Sequence, residues 1–470
     1  MRPMSFGWLV TATIAVLVWI GTPALPQGLP PTEPILRIET GMHTAPIRGI
    51  DVDAACRLMV TGSFDKTARL WALPESRVGE AQLLRILRVP IGLDNAGRVV
   101  GVAISPDGRL AAAGGQGWRA SKANAVYVFE TATGKLIRQL GGLNQIHQQA
   151  FSPDGKYLAA AVGGGTSGGG MRVWETAGWS LVGEDNGYEN SASYGVTFDK
   201  ADRLYTVAWD GLLRRYGREF KLEAKAKTLG GEKPFRVAVH PRGDLVAVGF
   251  DDSNTVEVYD AKSLERRFSA DIDGGHSGNT PSVAWSSDGT RLYAGGQNGG
   301  RIRVWDNEGR GTGRELVVAQ NTIMTLLPCR NSIAVGAQDP AFGLLSATGE
   351  KQVWQEADIV DMRGKLGENF TVSADGDRVR FGLGNDKPVL FDLAGGRLTD
   401  QPQPVSVLAA PDIVSLGIAD WHNGLSPKLN GKPLQLTRYE VSHSVAIAPG
   451  GDRFVLGSEW FLRAYSREVS

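Results

Sequence analysis

Apolar and polar positions alternate with a period of two over short runs along most of the chain, and Gly- and Asp-containing turns separate the runs. Such alternation places one set of side chains on each face of a strand. One module recurs: an alternating strand, a Ser-Pro-Asp-Gly-like turn, then a second strand of apolar and small residues. It reads Val102-Ala-Ile-Ser-Pro-Asp-Gly-Arg-Leu110, Gln149-Ala-Phe-Ser-Pro-Asp-Gly-Lys-Tyr-Leu158 and Val283-Ala-Trp-Ser-Ser-Asp-Gly-Thr-Arg-Leu292. Weaker copies start at Val237, Phe370 and Val445. Asp-Gly supplies the positive φ that a tight strand-to-strand turn needs. Third strands follow and end on an aromatic, as in Thr67–Trp71, Met171–Trp174, Val256–Tyr259 and Arg301–Trp305. A fourth follows a Thr-Gly or Gly-Gly turn, as in Gly134–Gln139.

The first turn of each unit falls near Asp53, Ser105, Ser152, Asp199, His240, Ser286, Pro328, Ser373, Ala410 and Ala448, at spacings of 37 to 52 residues. Four strands at a period of about 40–45 residues predict propeller blades. No long stretch carries a 3.6-residue period, so the predicted class is all-β with essentially no helix. Ten units exceed the four to eight blades usual in one ring. We expect residues 35–350 to form a first propeller of about seven blades and residues 351–470 to hold three blades of a partial second one. Pro34–Glu39 is the expected outer strand closing onto the seventh blade. One wide ring is the alternative. Three blades do not close alone, and an open sheet edge invites pairing. The expectation is therefore a shortened form of a longer parent, or a partner that completes the edge.

Residues 1–24 carry Arg2, an apolar run from Trp8 to Ile20 and small residues at Gly21, Thr22 and Ala24. This is a secretory signal pattern, followed by a linker at 25–34, with an uncleaved anchor as the alternative. The mature chain is expected to be periplasmic or secreted. Its two cysteines, Cys56 and Cys329, lie far apart and are expected to be free and half-buried; a bridge between them is the other possibility. Disulfide-dependent secreted scaffolds are short and Cys-dense instead.

Composition narrows the partner. Lys plus Arg is 50 and Asp plus Glu is 50, a net charge of zero. That balance argues against nucleic acid and against an anionic membrane beyond the signal segment. The 61 glycines show no Gly-X-Y period, which removes collagen.

His43 through Trp71 resembles a WD-repeat, a family of β-propellers. The resemblance implies a hydrogen-bonded tetrad: His43 ahead of the first strand, Thr61 or Ser63 on the second, Asp65 in the next turn and Trp71 on the third. We assign the hydroxyl to Ser63. Other blades depart from the pattern, with Asn298 in place of the Asp and Tyr216 in place of the Trp. The arrangement is also similar to propeller regions of bacterial proteins that carry a caspase-like peptidase domain. That likeness implies a regulatory propeller, here without the α/β segment a Cys–His peptidase needs.

Chemistry motifs fail on context. Gly165-Thr-Ser-Gly-Gly169 precedes a strand, whereas a nucleophile elbow opens a helix. The Gly-rich tracts lack Gly-Lys-Ser/Thr. The six histidines show no metal-ligand spacing. Asp271–Gly275 lacks the Glu of a calcium loop, with Ser282 in its place. No catalytic, cofactor or metal residue is assigned. The expected function is a non-enzymatic, exported binding scaffold that engages a protein or peptide on the propeller rim through Arg48, His147, Tyr194 and Phe235, at the starts of first strands. The alternative from another class is a lactonase- or quinoprotein-like propeller enzyme with a channel metal or cofactor. Alternation leaves the exposure of Trp209, Trp285, Trp421 and Trp460 open.

Overall fold

The computed structural model describes residues 41–76, 78–92, 95–116, 124–164, 169–271, 278–297, 299–357 and parts of 370–466. The expected signal segment, the linker and the strand at 34–39 lie outside these residues. So do 165–168, 272–277 with His276, Asn298 and Trp460.

Strands form where the alternation places them. The turns show why: Ser105, Ser152 and Ser286 each donate Oγ to the Asp two residues on, at 2.5–2.7 Å, and accept the backbone N–H five residues on. Gly108, Gly155 and Gly289 take φ of 74–75° in these turns, a region open to glycine without a steric penalty. The result is seven consecutive four-stranded antiparallel sheets, from Ile47 to Glu356. The molecule is an all-β propeller.

The core is not one mass but a set of wedges between blades. Val60, Leu70 and Leu87 of blade one meet Val99, Ile104 and Phe129 of blade two. The same sharing continues between each pair of neighbours up to blades six and seven. A last wedge joins blade seven back to blade one, with Phe342, Leu344 and Val353 against Ile47, Met59 and Trp71. The innermost strands therefore touch in cyclic order. Third-strand aromatics are these wedges: Trp71, Trp174, Tyr216, Tyr259 and Trp305 are all buried.

The outermost described strand of blade seven is Lys351–Glu356, paired to Ala341–Leu345, so the seventh sheet runs to Glu356; the expected closing strand Pro34–Glu39 lies outside the described residues. One expectation needs correction. Cys56 and Cys329 are not free: they form a disulfide, both buried, with Cα atoms 5.7 Å apart, within bridging reach. Their 273-residue separation is misleading because Cys56 lies in the first turn of blade one and Cys329 at the end of the first strand of blade seven, which ring closure makes neighbours.

Beyond the ring, Phe370–Thr399 carries one four-stranded sheet, and Ile418–Pro433 and Ser442–Ser466 carry three-stranded sheets.

Candidate site at the channel mouth

The tetrad of blade one is present, with a different hydroxyl. His43 Nδ1 lies 2.8 Å from Asp65 Oδ2 and His43 Nε2 lies 2.7 Å from Thr61 Oγ1. Trp71 Nε1 donates to the same Oγ1 at 2.9 Å. Ser63 instead donates to Ala45 O at 2.7 Å. The assigned Ser63 is thus replaced by Thr61, which lies on the same strand face two residues earlier. Burial opposes the charge of Asp65, but its bonds to His43, Thr67 and the Thr44 N–H win and hold its pKa at about 2. Blade four rebuilds the chain in other residues. Tyr188 OH is 2.7 Å from both Thr206 Oγ1 and Tyr216 OH. Tyr188, Thr206, Asp210 and Tyr216 keep the sequence offsets of His43, Thr61, Asp65 and Trp71. These networks are buried and fully used, so they fix blade geometry.

The four expected rim residues share one backbone feature. The innermost strand of nearly every blade has a β-bulge at its start. Ile47 pairs Ser63 and Gly49 pairs Gly62, which leaves Arg48 unpaired between them. The same shift leaves His147, Tyr194 and Phe235 unpaired in blades three, four and five. Val100 and Met324 hold this place in blades two and seven. A bulge re-aims a side chain, and here it re-aims one residue in six of the seven ring blades, at the same end of each innermost strand. Glycine after the bulge lets neighbouring blades close in: a Cβ on Gly49 would stand 2.7 Å from Val100 O, and one on Gly195 would stand 2.9 Å from Phe235 O.

Three of these side chains, His147, Tyr194 and Phe235, form one stack rather than separate contact points around a rim. Tyr194 stacks on His147 at 4.1 Å, on Trp209 at 4.3 Å and on Phe235 at 5.0 Å between centroids. His147 and Phe235 are only 7% and 6% exposed, while Arg48, Tyr194 and Trp209 remain partly open. Arg48 lies over Phe64 at 5.1 Å and Lys233 over Trp209 at 4.9 Å. Burial, then the charges of Arg236 and Arg48, push the His147 pKa down to about 3, so the imidazole is neutral. Burial pushes the Tyr194 phenol up to about 12.

Below the mouth lies a cavity of about 310 Å³, lined by Gly49, Gly101, His147, Gln148, Arg236 and Thr325 among others. Asp51 also lines it and bridges blades, accepting the N–H groups of Val52 and Ile104 at 2.9 Å. Burial still pushes its pKa up to about 7. Among the described residues no group of three or more His, Cys, Asp or Glu is placed to hold a metal ion. Sequence reasoning missed Trp209 as a member of the cluster, and Arg236 altogether. Arg236 directly follows the bulge residue Phe235, and that adjacency was the available signal. Trp285 is buried and Trp421 is half-exposed. His443 occupies the bulge position of the Ser442–Ile447 strand.

Comparison with known proteins agrees with the repeat. Residues 37–72 and 269–306 match the WD domain, G-beta repeat family. These stretches hold the blade-one tetrad and the Arg301–Trp305 strand. The small ribosomal subunit protein RACK1y of Oryza sativa subsp. japonica is 32% identical over 103 residues, 22% of this chain and 26% of that protein. The match spans about a quarter of that relative's length.

Proposed function

We propose that this β-propeller with WD repeats is an exported, non-enzymatic scaffold that binds a protein or peptide at its channel mouth. One observation carries the reading: backbone bulges in separate blades bring His147, Tyr194 and Phe235 into one stack beside a cavity that His147 lines, with Arg48, on a further bulge, within electrostatic reach of Tyr194 and His147. Aromatic and Arg side chains are the types that anchor protein interfaces. A rigid ring presents them at little ordering entropy. The WD-repeat match supports a scaffold role, as the family resemblance implies. Export is supported by the N-terminal signal pattern and by the Cys56–Cys329 bridge, since such bridges persist in oxidising compartments.

The test is to pan a random-peptide phage library against the full chain. The expected result is a family of binders that lose Tyr194→Ala protein but keep Arg109→Ala protein. Arg109 is exposed on the turn at the far end of an innermost strand. Failure to enrich binders, or binders indifferent to Tyr194→Ala, overturns the reading.

A further inference from the structure

The mouth holds more positive charge than its own residues neutralise. Arg236 is 6% exposed. Its Nη1 donates to Tyr194 O and, at 3.4 Å, to Gln148 Oε1, while its Nε is buried without a hydrogen-bond partner. Arg48 Nε is buried without a partner too. Among the described residues no carboxylate comes within ion-pairing distance of either guanidinium. Lys233 adds a further cation, standing over Trp209. Asp251 is the nearest opposing charge, shared between Lys233, Arg48 and Arg236 and crowded by Asp252. Asp252 is itself held by the N–H groups of Glu232 and Lys233.

A desolvated guanidinium without a carboxylate is unfavourable. Burial comes first, and the positive charge of Arg48 next, in drawing the Arg236 pKa down to about 9. The chain's zero net charge makes this local excess a property of the site, not of the molecule. Two structural arginines elsewhere in the ring are treated differently: Arg203 pairs Asp199 at 2.6 Å, and Arg214 pairs Asp210. The mouth pair lacks such carboxylates and borders a cavity that Arg236 lines. A planar guanidinium fork matches a carboxylate in bidentate fashion.

We propose that Arg48 and Arg236 form a carboxylate clamp, and that the partner is an acidic peptide whose apolar neighbour lies against Tyr194 and Trp209. This inference rests on reading the mouth as a peptide-binding surface. The carboxylate has two sources in a peptide, an Asp or Glu side chain or the free C-terminus. Both carry the same chemistry.

The probe is the set of peptides enriched by panning on the full-length protein, resynthesised with each acid changed to its amide and with the C-terminus free or amidated. Affinity is read by fluorescence polarisation first on unmodified protein, so that the effect of each peptide change does not depend on the folding of a variant. Loss of roughly 10- to 100-fold on a single acid-to-amide change, as expected for a hydrogen-bonded charge, supports the clamp with a side-chain source. The same loss on C-terminal amidation supports it with a terminal source. In either case Arg48→Gln should reproduce the loss on the parent peptide and leave the amide analogue's affinity unchanged. Binders that depend on Tyr194 but tolerate every acid-to-amide and C-terminal change would overturn the clamp while leaving the mouth as a binding surface. Binders that ignore Tyr194→Ala would instead overturn the surface itself.

Discussion

At the scale of residues, the buried polar groups decide what is structure and what is site. Thr61 Oγ1 serves both His43 and Trp71. Thr61→Val should therefore strand two buried groups and cost about 2–4 kcal/mol in urea unfolding. Ser63→Ala should cost less, about 1–2 kcal/mol, because the two partners it loses, Ala45 O and the Asp65 N–H, lie in half-exposed segments. The sequence could name His43, Asp65 and Trp71 but not choose between Thr61 and Ser63. Period-two alternation puts both hydroxyls on one face, and only the strand register separates them.

His147 gives a second prediction at this scale. Burial and the neighbouring Arg236 and Arg48 hold its folded pKa at about 3, against about 6.5 in an unfolded chain. Above about pH 6.5 both states are neutral and the group adds no pH dependence. Between about 6.5 and 3 the unfolded chain gains a proton that the native chain refuses, so stability falls as pH drops. An NMR titration should find the His147 ring neutral at pH 5. The difference between wild-type and His147→Gln stability should narrow or reverse in favour of the variant on acidification. A normal titration near 6.5 would mean that the mouth is wetter than its packing indicates.

At the scale of elements, the bulge is the device that builds the site, and a glycine follows it at Gly49, Gly101 and Gly195, where neighbouring blades close in. A methyl on Gly49 meets Val100 O at 2.7 Å, whereas one on Gly141 meets nothing within 4 Å. Gly49→Ala should lower stability by about 1–3 kcal/mol through overpacking, and Gly141→Ala should be close to neutral in the same melting experiment. Strands, turns and their order were legible because Ser-Pro-Asp-Gly turns and alternation are local signals. The starts of innermost strands were legible as well, which is how Arg48, His147, Tyr194 and Phe235 could be singled out. The union of the last three in one stack was not, because it depends on how separate blades converge. Arg236 was missed for a related reason: strand alternation says which face it takes, not that the face looks into a cavity.

At the scale of the whole molecule, closure is what the residues could not announce. Blade one and blade seven share a wedge core, a bond from Gln355 Nε2 to Ala81 O at 3.0 Å, and the Cys56–Cys329 bridge. The bridge closes a long loop, and such crosslinks stabilise by about 2–5 kcal/mol. Cys56→Ala with Cys329→Ala should lower the denaturation midpoint by a matching amount while leaving peptide binding intact, since the bridge sits at the turn end of the strands and the mouth at their start. The ring also sets where the chain divides. Limited proteolysis should leave a stable product ending after Glu356 rather than before Lys351, because that strand is the outer edge of blade seven.

Hydrogen–deuterium exchange on the full chain, with and without a panned peptide, reads the mouth directly. New protection should concentrate in the innermost-strand starts around residues 47–49, 146–148, 193–195 and 234–236. Protection confined to outer strands or to residues 370–466, with those four segments unchanged, would contradict binding at the mouth.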